Sequence, residues 1–416
     1  MSQTWKQVCA IILNKLLHAA AFAHAVAAPF PYSIPGPIEV ADDVLLANAH
    51  LFGNCIRLLR KVLYTTDGQP FLVAGSGTLG WDAVGANLVE KGDKALVLTS
   101  GYFGDAFADC LKVYGADVTQ LTAPIGGSPT KEQITEALKK DKYKVLTFTH
   151  VDTSTGVLSD PKMIAETVKE VSPDTLVVLD GVCSVASEEI RFDDWGIDVV
   201  VSATQKGLGV PPGLSVVCAS QKALKVFENR KTPPSSYYIS WTKWLPVMKN
   251  YEAGTPSYFA TPPVQLVYAL ETSLKTIMEG KVSLEERFQM HRDASQKFKK
   301  EMQGLGFKTV SLSPETSANG MTAVYFPDGF KAPDILPKLL AYVSVSPILT
   351  SYHAHNVLDG YSKDIVVAAG LHKDIKDKYF RVGHMGVSVV DTERGDLDKV
   401  IKGIKEAFAE AGYKST

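Results

Sequence analysis

Cysteine is scarce in this chain and shows no pattern. Five are present, Cys9, Cys55, Cys110, Cys183 and Cys218, an odd number with no C-x-x-C pair. A disulfide framework and a zinc finger are thereby excluded as organising devices, no metal site is expected, and a reducing compartment fits best. Basic tracts are missing as well. Lys and Arg number 43 against 45 Asp and Glu, for a net charge of −2. Nucleic-acid binding needs a concentrated basic footprint, so no such partner is expected. No clean apolar run is long enough to cross a bilayer: Ile11 to Ala28 comes nearest and is broken by Asn14 and Lys15, so no membrane partner is expected. Repeats and low-complexity tracts are lacking. The last residues, Tyr413-Lys414-Ser415-Thr416, do not form a peroxisomal SKL ending.

The first 32 residues lack Asp, Glu and Arg altogether. Residues 1–33 are read as an N-terminal extension, either a targeting segment or an artefact of the gene model. A mitochondrial presequence lacks its usual Arg here, and AHAVAA offers small residues near a secretory cut site. The compartment stays open among mitochondrion, peroxisome and cytosol.

What is present is ordinary globular composition, 416 residues at 45% hydrophobic and 21% charged. That length suits one large domain with a sizeable core and a smaller one. Short apolar runs recur at Phe71 to Ala74, Ala95 to Thr99, Lys144 to Thr149, Thr175 to Asp180, Asp198 to Ala203 and Leu214 to Ala219. They are rich in β-branched residues and nearly continuous, the signature of strands buried on both faces. Amphipathic stretches such as Lys131 to Lys140 and Pro161 to Val171 lie between them. The alternation predicts an α/β sheet covered by helices on both sides. The last run follows its predecessor too closely for a helical crossover, so that pair is expected to be antiparallel. Beyond Thr261-Pro262-Pro263 the texture changes. Long helices are expected over Val264 to Glu279 and Leu284 to Gly304, strands near Thr322 to Phe326 and Ile365 to Ala368, and a closing helix over Asp396 to Ala411. The expected division is a large domain over residues 34–265 and a smaller α+β domain over 266–416.

The chemistry gathers at the strand ends, where α/β folds bind ligands. AGSGTLG follows the first run with Ser76, Gly77 and Thr78, small residues entering a helix whose N-terminus suits a phosphate. SGYFG places Phe103 after the second. THVDTSTG offers the hydroxyls of Thr153 and Ser154. VVLDGVCS ends a strand in Asp180, a carboxylate that is costly there unless paired. SATQKGLGVPPG then sets Gln205 and Lys206 where the chain leaves a buried strand for a tight turn. Each signal alone is weak: loop lysines are usually solvated and Phe103 alone reads as core. Pyridoxal 5'-phosphate uses them all. Its aldehyde needs a lysine, its ring nitrogen an acid, its ring face an aromatic and its phosphate a helix N-terminus. Arg381, in KYFRVGHMG, offers a fork-shaped donor for a carboxylate, although that stretch alone reads as a surface arginine.

With IPGP (Ile34 to Pro37), YFATPPV and FRVGHMG added, these motifs make the chain resemble the fold type I alanine–glyoxylate and serine–glyoxylate aminotransferases, from about residue 34 to the end. The resemblance implies a mostly parallel seven-stranded sheet in the large domain and a homodimer with shared active sites. It makes Lys206 the Schiff-base lysine and Asp180 the partner of the ring nitrogen. It puts Phe103 over the ring, Ser76, Gly77, Thr78 and Gln205 on the phosphate side, and Thr153 near the ring oxygen. Tyr258 and Thr261 would reach the neighbouring subunit's phosphate, and Arg381 with Gly36 would bind substrate. The implied reaction takes the amino group of L-alanine to glyoxylate, giving glycine and pyruvate. Serine or another small amino acid is the alternative donor, and a cofactor-binding chain without turnover is the alternative of another kind. A cysteine desulfurase is excluded, because no cysteine follows Cys218 to act as its loop nucleophile. The chain departs from the family twice. The segment around 47–52 is shortened before LFGNCIRLLRKVL, and residues 342–362 read as an insertion too long for a structureless loop in a compact domain. Both are read as gene-model errors.

Overall fold

The computed structural model describes residues 42–340 and 367–414. The N-terminal extension, Gly36 and the insertion 342–362 lie outside the described residues. The shortened segment around 47–52 falls within one continuous helix, Asp42–Val62, with Leu51 and Phe52 buried.

Among the described residues nine strands precede residue 220. They are β1 (Gln69–Ala74), β2 (Lys94–Thr99), β3 (Asp117–Thr122), β4 (Val145–Thr149), β5 (Val151–Asp152), β6 (Val157–Leu158), β7 (Leu176–Asp180), β8 (Val199–Ala203) and β9 (Leu214–Ala219). Seven form one sheet in the order β1-β9-β8-β7-β4-β2-β3. Only β9 runs against the rest, pairing antiparallel with both β8 and β1, as its short connection requires. Every residue of β4, β7, β8 and β9 is buried, which explains why they read as continuous apolar runs. β3 gave no such run. It is the edge strand, and in DVTQLT four of six residues are exposed.

The helices begin where their caps dictate. Thr130 and Gln133 form a capping box before Lys131–Lys140, and Ser283 and Glu286 form another before Leu284–Gly304. Asp160 accepts from Met163 N ahead of Pro161–Val171. The helix Val264–Glu279 has the bounds the sequence predicts, and the closing helix is Asp396–Glu410.

Among the described residues two main hydrophobic cores result, with two smaller clusters beside them. The larger surrounds the sheet and takes in Val267, Leu270 and Leu274, then Leu284 and Phe288 at the start of the long helix. The smaller begins at Phe298 and Met302, further along that same helix, and adds Phe307, Phe380 and Phe408. It lies on a three-stranded antiparallel sheet, β10 (Met321–Tyr325), β11 (Ala368–Ala369) and β12 (Tyr379–Gly383), ordered β10-β12-β11. The strand expected over Ile365 to Ala368 reaches Ala368 only within the described part of the chain. The central strand β12 was not anticipated as a strand. Among the described residues no helix is long and apolar enough to cross a membrane.

Candidate active site

Because β1, β2, β4, β7 and β8 all point the same way, their carboxyl ends share one edge of the sheet. The loops leaving that edge enclose a cavity of about 170 Å³. Its walls include Ser76, Gly77 and Thr78 after β1, Phe103 after β2, Thr153 after β5, Asp180 at the end of β7 with Cys183 beyond it, and Gln205 and Lys206 after β8. A wider groove of about 690 Å³ lies at the opposite edge among Lys94, Lys144, Lys222 and Lys225. Asp93 and Asp174 stand among these lysines, and Lys94 and Lys222 are already paired with Asp141 and Asp198, so the groove is a surface charge network and the catalytic set is at the smaller cavity.

Asp180 lies at the cavity wall and is 4% exposed. Trp81 Nε1 donates to its Oδ2 at 2.9 Å and the backbone N of Val182 donates to its Oδ1 at 2.9 Å. Trp81 is itself fixed by stacking on Phe107, with centroids 5.2 Å apart and planes at 13°. Burial pushes the Asp180 carboxyl up to about 6, and the nearby Asp152 adds to that rise. The two donors and the Lys206 ammonium pull the other way. The side is short of positive charge, and a cationic ring nitrogen would supply it.

The loop after β1 is closed down to backbone. A Cβ on Gly77 would lie 2.8 Å from Val182 Cγ2, and Gly77 opens the helix Thr78–Leu88 with no side-chain cap. An uncapped N-terminus beside two hydroxyl side chains suits a phosphate.

Phe103 sits at the start of the helix Tyr102–Val113, edge-on to Trp81 with centroids 6.4 Å apart. Its placement depends on Asp152, which is fully buried. The Asp152 carboxylate accepts from the N–H groups of Phe103 at 3.2 Å and Gly104 at 3.4 Å, and from both the N–H and the hydroxyl of Ser154. Ser154 Oγ in turn accepts from Tyr102 N at 2.9 Å. A Cβ on Gly101 would fall 2.4 Å from both Asp152 Oδ1 and Ser154 Oγ, so only glycine passes there. Burial raises the Asp152 pKa, opposed by those hydrogen bonds.

Arg381 comes from the second core, on β12. Its Nε donates to Ala369 O at 2.8 Å and its Nη1 to Thr153 O at 3.1 Å. Burial lowers its pKa. Among the described residues Arg381 has no carboxylate partner, and Nη2 is left for one. The structure therefore brings together Ser76, Gly77, Thr78, Phe103, Thr153, Asp180, Gln205 and Lys206, with Arg381 at the Thr153 side. Tyr258 and Thr261 are not at this cavity. Tyr258 is 59% exposed, and its hydroxyl lies 3.1 Å from Thr261 Oγ1. Trp81, Asp152 and Cys183 were missed. A tryptophan four residues after Gly77 and an Asp-x-Ser after a strand were the available signals.

A doubly covered sheet with lysine, buried aspartate and an open helix N-terminus at one edge is the arrangement of a fold type I pyridoxal-phosphate enzyme. Comparison with known proteins agrees. The family model "Aminotransferase class-V" matches residues 52–343. Alanine–glyoxylate aminotransferase 1 of Saccharomyces cerevisiae is 39% identical over 378 residues, 86% of this chain and 91% of that protein. Serine–glyoxylate aminotransferase of Methylorubrum extorquens is 29% identical, covering 92% of each. The crystal structure of alanine–glyoxylate aminotransferase from Nostoc sp. superposes with a TM-score of 0.75 at 26% identity, covering 92% of this chain and 98% of that one. The chain belongs to the class-V aminotransferases. It is a transaminase whose cofactor is pyridoxal 5'-phosphate, and the cavity's donor set fits that group.

Proposed function

We propose that this protein transfers the amino group of L-alanine to glyoxylate, giving pyruvate and glycine. The observation that carries the reading is the convergence of Lys206, Asp180 and an uncapped helix N-terminus on one cavity, with Arg381, which has no carboxylate partner among the described residues, at the Thr153 side. The 39% identical relative named for alanine supports alanine as the donor. The 29% identical relative named for serine keeps serine as the second donor to test.

In this reading Ser76, Gly77, Thr78 and Gln205 would hold the phosphate, Phe103 would cover the ring and Thr153 would serve the ring oxygen. When bound, the cofactor supplies the electron sink for breaking the donor's Cα–H bond. Lys206 would hold it covalently at rest. Once displaced, Lys206 Nζ takes the proton from the donor's Cα, and in the return half-reaction gives a proton to the Cα of the nascent glycine. Asp180 would keep the ring nitrogen protonated. Arg381 holds the α-carboxylate of each substrate in one pose, which a two-substrate exchange requires. Exposed Tyr258 and Thr261 serve the phosphate of a second subunit, so the working form is a homodimer. Gly36 belongs to the substrate side in the same proposal.

The test is the purified holoenzyme with glyoxylate and a panel of amino donors, alanine and serine among them. Lys206→Ala should lower turnover by about 10⁴-fold, the upper range for a general acid–base group, and should lose the cofactor attachment that borohydride fixes. Attachment at any other lysine would sink the assignment.

A further inference from the structure

Tyr379 and Arg381 are two apart on β12, so their side chains leave the same face of the strand. They reach consecutive carbonyls of one turn. Arg381 Nη1 donates to Thr153 O at 3.1 Å, and the Tyr379 hydroxyl donates to Ser154 O. The same phenol oxygen accepts from Leu371 N and His372 N, each at 2.9 Å. Tyr379 is fully buried, packed with Val310, Ala323 and Ile375. One hydroxyl thus ties three pieces of backbone: the Asp152–Ser154 turn of the large unit, the segment just after β11, and β12 itself.

Both ends of this tie bear on Arg381. The Asp152–Ser154 turn supplies its Nη1 acceptor and is held rigid by the buried Asp152 carboxylate. β11 supplies its Nε acceptor, Ala369 O, two residues ahead of Leu371. The guanidinium therefore stands between two carbonyls whose spacing the tyrosine sets. We propose that Tyr379 is a positioning residue for substrate binding: its hydroxyl latches β12 to the cofactor-side turn and so fixes the direction in which Arg381 presents its free N–H groups. The inference rests on the reading of Arg381 as the carboxylate-binding residue.

Tyr379→Phe keeps the ring in its core and removes only the latch. In the holoenzyme, KM for alanine and for glyoxylate should each rise about tenfold, with kcat within about twofold of wild type, the pattern of lost uniform binding. Cofactor absorbance should be unchanged. A lower Tm is expected too, but a purely structural hydroxyl would move Tm without moving either KM. Unchanged KM values overturn the proposal. Calorimetric binding of propionate, which has alanine's carboxylate and carbon skeleton but no amine to transfer, separates this test from the functional reading. If wild-type protein fails to turn over glyoxylate while propionate binds the variant about tenfold more weakly, the donor–acceptor assignment is wrong and the latch stands. Equal propionate affinity in the two proteins overturns the latch.

Discussion

Asp180 and Arg381 are the two charges this site places most deliberately, and they are held in opposite ways. Asp180 is a buried acceptor satisfied by donors from its own unit, Trp81 and the Val182 backbone. Arg381 is a half-buried donor satisfied by carbonyls from both units, Thr153 and Ala369. The first arrangement keeps one geometry as long as the large core is intact. The second holds only while β12 and the turn after β4 keep their relative position. A cofactor that stays bound suits the first, and substrates that come and go suit the second.

Breaking the comparison on the arginine side should have the largest effect. Arg381→Ala leaves a substrate carboxylate unpaired in a partly desolvated place, and should cost roughly a thousandfold in kcat/KM, or about 4 kcal/mol of transition-state binding. Arg381→Lys should recover only part, because one ammonium cannot reproduce the fork. Cofactor absorbance should stay nearly constant in both. A variant with normal affinity for both substrates, or one that fails to hold cofactor, would contradict the division of labour.

On the aspartate side the expected signature is a pH dependence of cofactor binding. The Asp180 pKa is raised by burial to about 6, above the ordinary carboxylate value, so the folded apoprotein binds this proton more tightly than the unfolded chain does. The ionised form dominates above that value, and only that form pairs with a cationic ring nitrogen. Affinity for pyridoxal phosphate should therefore be full near neutrality and fall as pH drops below about 6, the fall steepening toward about tenfold per pH unit, one proton being taken up per cofactor lost. Asp180→Asn should remove that dependence and lower kcat by about a hundredfold, the scale of losing one fixed electrostatic partner. Apoenzyme titration followed by absorbance reads both. An affinity flat in pH from 7 to 5 would show that Asp180 does not meet the ring nitrogen.

The same contrast explains what the sequence disclosed. Strands such as Val145–Thr149 and Val199–Ala203 are buried on both faces, so their composition is their structure. Asp180 and Lys206 are legible because a charge ending such a run must have a reason. Helix bounds were legible where a cap spells them out, as at Thr130 and Ser283. β3 was not, because an edge strand with four exposed residues loses the apolar signal. β12 was not, because five residues containing an arginine do not look like a central strand. Asp152 was hidden for another reason: its partners, Phe103 and Gly104, lie about fifty positions away, and an aspartate three residues past an apolar run reads as an ordinary turn former. Two of the links that join the two units, Arg381 to Thr153 O and Tyr379 to Ser154 O, end on main-chain acceptors, which leave no mark in the sequence.

The smallest expected effect sharpens the Asp180 half of the comparison. Trp81 does two things at once: its ring stacks on Phe107, and its Nε1 donates to Asp180. Trp81→Phe should keep most of the stacking and delete the hydrogen bond. A hydrogen bond to a charged group is worth about 1.5–3 kcal/mol, but this one is present without cofactor as well, so its effect on affinity comes through the carboxyl pKa: a rise of about one unit should cost only about twofold in pyridoxal-phosphate affinity at neutral pH. The direction of a second change separates electrostatics from packing. With one donor gone, the carboxylate is less stabilised, so the pH at which cofactor binding weakens should move upward from about 6. Loss of packing alone would weaken binding at every pH by the same factor and leave that midpoint in place. An unmoved midpoint would therefore assign Trp81 to the core and leave Val182 N as the donor that fixes Asp180.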